Sequence, residues 1–158
     1  PIRALTQLIL RGESSLTFAA RELIASLVSH RNECRFCSAA HSAVTDLLLG
    51  ESDTCELVRQ DYESAPVSEK MRALLHIAAL TQKSGLYVTD SAIERAKNAG
   101  ATDLEIHDTV LIAALFCFYN KYVDGLATDF PADPTYFRQL GERIAVGYGR
   151  RPEGYEEK

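Results

Sequence analysis

Cys34-Arg35-Phe36-Cys37-Ser38-Ala39-Ala40-His41 carries two thiols and an imidazole at spacings that share one side of a helix. At about 100° per residue, Cys37 lies roughly 60° from Cys34 around the axis, and His41 about 20° from it. The three side chains can therefore meet in one small volume. Two thiols able to close into a disulfide, beside a group that takes and returns a proton, are the minimum equipment for reducing a peroxide. Glu22, twelve residues before Cys34, is a second proton-handling candidate. On helix patterning alone it reads as a solvated carboxylate. It sits, however, on the segment leading directly into the thiol helix, and an antiparallel hairpin would return it over His41.

The thiol pair admits three readings, of which the redox pair leads. A helix start stabilises thiolate through its amide dipoles and lowers the thiol pKa. A metal site would combine Cys34, Cys37, His41 and a carboxylate, but structural zinc sites usually bring a second ligand pair from a separate segment, and none is present. Core filler is the third reading. A thioredoxin-like domain would need strands around the motif, and the sequence offers none. Cys55 and Cys117 stand alone. Cys117, within Leu111-Ile112-Ala113-Ala114-Leu115-Phe116-Cys117-Phe118, reads as a buried thiol acting as a small hydrophobe.

Helices must position these groups. Ser15 or Thr17 caps a segment with Leu23, Ile24, Leu27 and Val28 at helical spacing. A turn through Ser29 to Glu33, suited to Asn32, leads to a helix from about Cys34 that Gly50 stops. Ser52 or Asp53 starts a short helix to about Tyr62, and Ser68 one that ends near Gly85. Thr89 to Gly100 holds the next. Thr102-Asp103-Leu104-Glu105 is a capping box for a long apolar helix to about Ala127. Pro131 and Pro134 break the chain before a last helix over Thr135 to Val146. The polar, Gly-rich tail from Gly147 reads as extended or partly disordered. No segment alternates at period two, so the class is all-α, with six to seven helices. A faint echo at an offset of 50 residues places Ser84, Tyr87 and Ser91 where the first copy has Cys34, Cys37 and His41.

A chain of 158 residues fits one domain, with a core over about 10–130 and a C-terminal extension over 131–158. The 46% apolar and 25% charged composition is ordinary for a soluble globular protein. A net charge of −5 without a dense basic stripe argues against nucleic acid, and no apolar run is long enough to span a membrane. The chain begins at Pro1-Ile2 without Met, which leaves room for residues upstream, and its first residues do not read as a signal peptide. Four cysteines in this pattern fit a reducing cytoplasm better than a secreted disulfide framework.

Glu22, Cys34, Cys37 and His41, with Ala20-Arg21-Glu22-Leu23-Ile24-Ala25 before them and Phe118-Tyr119-Asn120-Lys121-Tyr122-Val123-Asp124-Gly125-Leu126 in the long helix, resemble the AhpD-like alkylhydroperoxidases. These belong to the carboxymuconolactone decarboxylase superfamily, and the flanking stretches are most similar to its peroxidase-related branch. The resemblance spans about residues 10 to 130. It implies an all-helical fold and a thiol peroxidase acting on alkyl or hydrogen peroxides without metal or organic cofactor. Cys37 would attack the peroxide, Cys34 would resolve the sulfenic acid, and His41 and Glu22 would form the proton relay. It also implies a homo-oligomer, commonly a trimer or hexamer, and a dithiol reductant such as a lipoylated or thioredoxin-like protein. One departure bears on activity: the best-known members place a His immediately before the second cysteine, where this chain has Phe36. Asn120 and Asp124, one turn apart, take a supporting place at the pocket rim or a subunit contact. Two rival functions remain, a γ-carboxymuconolactone-type decarboxylase, whose chemistry does not call for paired thiols, and a redox-sensing or metal-binding helical module.

Overall fold

Hydroxyl caps set half of the helix starts. The side chains of Thr17, Ser68, Thr89 and Thr102 accept from the backbone N–H of Ala20, Met71, Ala92 and Glu105, and Glu105 closes the expected capping box. The computed structural model describes residues 2–133 and 135–149; Pro134 and the polar tail beyond residue 149 lie outside the described residues. Among these, the regular structure is helical: α1 (Ile2–Arg11), α2 (Phe18–Arg31), α3 (Arg35–Leu49), α4 (Asp53–Asp61), α5 (Glu69–Lys83), α6 (Asp90–Asn98), α7 (Asp103–Gly125) and α8 (Tyr136–Val146). A 3-10 turn at Gly85–Tyr87 joins α5 to α6. The all-α class holds. The six to seven helices expected become eight, because α1 was not legible.

Helix α4 corrects another expectation. Its first amides are held by neither Ser52 nor Asp53 but by the Glu51 carboxylate, which accepts from Asp53 N at 2.7 Å and Thr54 N at 3.1 Å. Gly50 ends α3 in the left-handed region at φ 74°, as the sequence reading requires. The echo at offset 50 is partial. α5 answers α2, but the 15-residue α3 is matched only by the 3-10 turn and the nine-residue α6.

Helix α2 is the axis of the fold, buried continuously from Arg21 to Ser29 and packed against α3, α4, α5 and α7. Ile24, Leu27 and Val28 meet Leu74 and Leu75 of α5 and Phe116 of α7 in one apolar cluster. Each such side chain contributes about 1.5–3 kcal/mol through water exclusion. Two arginines tie outlying helices to this axis. Arg21 donates to the carbonyls of Ile9, Gly12 and Leu16 at 3.0–3.1 Å, pinning the end of α1. Arg11 reaches the carbonyls of Ile144 and Ala145 at the end of α8. α8 lies close on α3 at Gly141, where a Cβ would stand 3.2 Å from the Ala43 backbone. Among the described residues no helix is long and apolar enough to cross a membrane.

Candidate active site

The α2–α3 hairpin brings the sequence candidates together. A short turn joins the helices, with Asn32 closing α2 and Glu33 in the left-handed region at φ 60°, sparsely populated for a residue with a side chain. Cys34 is the N-cap of α3, and Cys37 lies in its first turn. One turn further on, His41 Nδ1 lies 2.6 Å from Glu22 Oε2. Glu22 is fully buried. A carboxylate at Nδ1 holds the direction of the ring and leaves Nε2 as the nitrogen free to exchange a proton. The edge of Phe116, 4.5 Å between centroids at 88°, fixes the plane of the ring.

Glu22 has two partners that the sequence reading missed. Arg11 Nη2 lies 2.6 Å from Oε1, and the Tyr148 hydroxyl donates to the same oxygen at 2.7 Å. The Tyr148 ring stacks on His41 and lies 5.0 Å from the Arg11 guanidinium carbon, and its backbone N–H donates to Gln7 Oε1 at 2.7 Å. Burial pushes the Glu22 pKa up, but the charge and hydrogen bond of His41, the Arg11 charge and the Tyr148 hydroxyl hold it below the usual carboxylate value. Burial and the facing Glu22 charge push the Tyr148 phenol well above its ordinary value. The expected free tail is thus, at Tyr148, part of the site. The signal for it was faint: one aromatic, just past a helix end, in a stretch otherwise polar.

Tyr148→Phe is expected to keep the ring on His41 while removing one donor from Glu22. The cost is about 1.5–3 kcal/mol, the usual worth of a hydrogen bond to a charged group. Urea unfolding of the two proteins measures it.

The thiols are free and deeply buried, Cys34 with no exposed surface and Cys37 at 5%. Burial pushes Cys34 up to about 12, opposed by the backbone N–H of Cys37 and reinforced by hydrogen bonds to Asp124 and to the Cys37 sulfur. Burial also raises Cys37, partly offset by hydrogen bonds from Cys34 and from the Asn120 amide, while the Asp124 charge adds to the rise. The expected low thiol pKa from the helix start is therefore overturned: desolvation outweighs the amide dipoles. Neighbouring groups partly offset the rise at Cys37 but mostly add to it at Cys34, so negative charge accumulates more easily on Cys37.

Asn120 and Asp124 of α7 act on the thiols, Asn120 lowering the pKa of Cys37 and Asp124 raising that of both. Asn120 is buried, donates to Ser29 Oγ at 3.0 Å and accepts from Asn32 Nδ2 at 2.8 Å. Phe36, where a relay His was expected in the best-known relatives, instead packs on α8, edge-on to Phe137 at 5.5 Å and tilted against Tyr136 at 6.3 Å. It anchors the helix that delivers Tyr148.

The remaining cysteines differ from one another. Cys55 is buried and lies 3.4 Å from Ser26 Oγ, which in turn lies 2.9 Å from Ser42 Oγ. Cys117 corrects its reading as a buried hydrophobe. It is half-buried, accepts from Asn32 Nδ2 at 3.6 Å and donates to the Gln82 carbonyl at 3.8 Å. The double variant Cys55→Ala/Cys117→Ala is expected to keep oxidation of Cys34 and Cys37 intact, at a stability cost of ~1–2 kcal/mol. Loss of that oxidation in a folded double variant, read by thiol titration, would place the redox pair elsewhere.

A pocket of about 370 Å³ opens over Cys34, walled by His30, Arg35, Ser38, Arg59 and Phe130 among others.

Comparison with known proteins bears on the fold. The carboxymuconolactone decarboxylase family model matches residues 53–128, from α4 to the turn after α7, and the thiol motif precedes that span. No curated protein is significantly similar in sequence. Among solved structures, an uncharacterized peroxidase-related protein from Silicibacter sp. TM1040 is 27% identical over 84% of this chain and 69% of its own, with a TM-score of 0.78. The alkylhydroperoxidase AhpD core of an uncharacterized peroxidase-related protein from Ralstonia eutropha JMP134 is 25% identical over 89% of this chain and 72% of its own, with a TM-score of 0.80. A protein of unknown function from Agrobacterium tumefaciens, described as a candidate AhpD antioxidant defence protein, is 25% identical over 84% of this chain and 89% of its own, at TM-score 0.71. With its helical hairpin, its match to the family model over residues 53–128 and these neighbours, the chain has an AhpD-like fold and is similar to the carboxymuconolactone decarboxylase family.

Proposed function

We propose that the protein is a thiol peroxidase that reduces alkyl or hydrogen peroxides through Cys34 and Cys37. The observation carrying this is the pair of free, buried thiols at the N-cap and in the first turn of α3, with His41 one turn away on Glu22. Both thiols rest protonated at neutral pH, so His41 Nε2 acts as a base at the moment of attack rather than by holding a standing thiolate. Cys37 attacks one peroxide oxygen, the O–O bond breaks, and the alcohol or water leaves with the proton that His41 returns. The Cys37 sulfenic acid is then attacked by Cys34; a water leaves and the disulfide forms. Glu22 steadies the imidazolium during both proton transfers, and Asn120 supports the developing charge on Cys37.

Decarboxylation of a lactone acid gives no role to a polarised thiol pair. A metal module would need ligands grouped around an ion, whereas Nδ1 of His41 is committed to Glu22, and among the described residues no three His, Cys, Asp or Glu side chains form such a group. Homo-oligomerisation fits an exposed apolar stripe of Leu104, Leu111, Phe118 and Tyr122 on α7, with Leu5 and Leu8 exposed on α1. A reducing cytoplasm, and a dithiol to regenerate the thiols, complete the proposal.

Intact mass after limiting hydroperoxide tests it. The expected result is the loss of two hydrogens, with a disulfide mapped to Cys34 and Cys37. Unchanged mass and thiol count after peroxide would remove the peroxidase reading and return the decarboxylase.

A further inference from the structure

Three side-chain amides run in one chain from the end of α5 toward the thiol pair. Gln82 Nε2 donates to Asn32 Oδ1 at 2.7 Å, and Asn32 Nδ2 donates to Asn120 Oδ1 at 2.8 Å. Asn120 Nδ2 in turn donates to Ser29 Oγ at 3.0 Å. The chain joins three helices: Gln82 lies in the last turn of α5, Asn32 closes α2 two residues before Cys34, and Asn120 lies in α7. Two neighbours fix its sense. The Arg31 carbonyl, which can only accept, faces Gln82 Nε2 at 3.5 Å. Cys117 gives its hydrogen to the Gln82 carbonyl at 3.8 Å, so its sulfur meets the Asn32 amide as an acceptor at 3.6 Å. The side-chain oxygens of Asn32 and Asn120 are therefore each taken by the preceding N–H, and Asn120 turns its NH2 to the other side. Asn120 is 1% exposed, and its amide lowers the pKa of Cys37 against the burial that raises it. Cys34 and Asp124 also act on Cys37, with His41 one turn along α3, but none of these belongs to the chain.

We propose that Asn32 and Gln82 are positioning residues for Cys37, acting through Asn120. The proposal rests on the redox-pair reading and adds to it which residues outside the pair favour charge on one sulfur. The two ends of an amide are nearly alike in shape and opposite in polarity. An unheld Asn120 turns its oxygen inward at little cost, because Ser29 Oγ donates as readily as it accepts. An oxygen there opposes negative charge on Cys37, whereas the NH2 favours it. Asn32 keeps the favourable end in place, and Gln82 keeps Asn32 in place. Gln82 is only half-buried, so the setting of a buried thiol is anchored near the surface, on a different helix.

The readout is the pH midpoint of Cys37 alkylation by iodoacetamide, located by peptide mass and taken at about 1 M salt so that an introduced charge is screened. Asn120→Ala is expected to raise the midpoint by about one pH unit, the worth of one hydrogen bond to a charged group. Asn32→Ala should reproduce most of that rise, and add almost nothing to it in the Asn32→Ala/Asn120→Ala double variant. At position 82 only donation matters. Gln82→Glu, an acceptor alone, should raise the midpoint, while Gln82→Lys, a donor alone, should keep it close to the wild-type value. A merely structural role would not separate these two, and they decide the matter even if Asn32→Ala does not fold. An Asn32→Ala shift of the same size with and without Asn120, or equal midpoints for Gln82→Glu and Gln82→Lys, overturns the amide chain. Either result leaves the peroxidase reading standing, because that reading is judged by whether peroxide joins Cys34 to Cys37 in the wild type. The expected shifts in a protein whose thiols ignore peroxide would keep the chain and remove the peroxidase.

Discussion

Cys37→Ser is expected to reduce peroxide consumption to background, whereas Cys34→Ser should complete half a turnover and hold a sulfenic acid on Cys37. Position along α3 and the balance of influences on the two thiols give the same assignment. Cys37 is four residues, one helical turn, from His41, and Asn120 and Cys34 partly offset the rise that burial imposes on its pKa. Cys34 faces the Asp124 carboxylate and has its pKa pushed up to about 12 by burial first and by its donated hydrogen bonds after that. A thiol so placed stays protonated until a sulfenic acid forms beside it. The check is dimedone labelling after one equivalent of hydroperoxide, with the adduct located by peptide mass. An adduct on Cys34 in the Cys37→Ser variant, with none on Cys37 in the other, would reverse the roles. The raised thiol pKa values add a pH expectation. A thiol whose folded pKa lies above its unfolded value stabilises the fold fully below the unfolded value. For Cys34 that contribution is lost as pH climbs from about 8.5 toward 12.

Local chemistry made the scaffold legible. Thr17, Ser68, Thr89 and the Thr102–Glu105 box are short-range signals, because a cap and the amides it satisfies lie within four residues. The approach of Glu22 to His41 followed from a two-helix hairpin, the next level up. What stayed hidden is long-range. Arg11 and Tyr148 reach Glu22 across separations of 11 and 126 residues, and nothing in either neighbourhood marks a partner. Helix α1 was hidden for a related reason. Its one deeply buried apolar residue is Leu10, and Leu5 and Leu8 face outward, so it shows no single core stripe. The thiol pKa direction failed on a different ground. Sequence places a cysteine relative to a helix dipole, but only packing says how much water it loses, and here water loss is the larger effect. Phe36 shows the two levels meeting. By sequence it stands where the relatives have a His; in the fold it holds α8, and α8 carries in the tyrosine that hydrogen-bonds Glu22 from the other side.

Glu22→Gln is expected to slow peroxide turnover by ~10²-fold or more, the usual size of a general acid–base contribution, and to shift Cys37 alkylation to higher pH. Glutamine keeps an oxygen that can accept from Nδ1, so the ring holds its direction. What it loses is the negative charge that stabilises the imidazolium while Cys37 becomes a thiolate. The substitution also carries a structural cost that a solvated glutamate would not. Arg11 has almost no exposed side-chain surface and would keep its charge without a counter-ion, which costs ~3–5 kcal/mol. The pH dependence has a definite sign. The folded pKa of Glu22 lies below the unfolded carboxylate value of about 4.3, so its stabilisation is present above that pH and fades as pH falls through the folded value. The variant should lack this acid limb. Pairing Glu22→Gln with Arg11→Gln removes the orphaned cation and separates the two effects. Recovery of urea stability without recovery of turnover assigns the lost rate to the relay. Superimposable alkylation profiles for wild type and Glu22→Gln, with unchanged turnover, would reduce Glu22 to the buried counter-ion of Arg11 and leave His41 working alone.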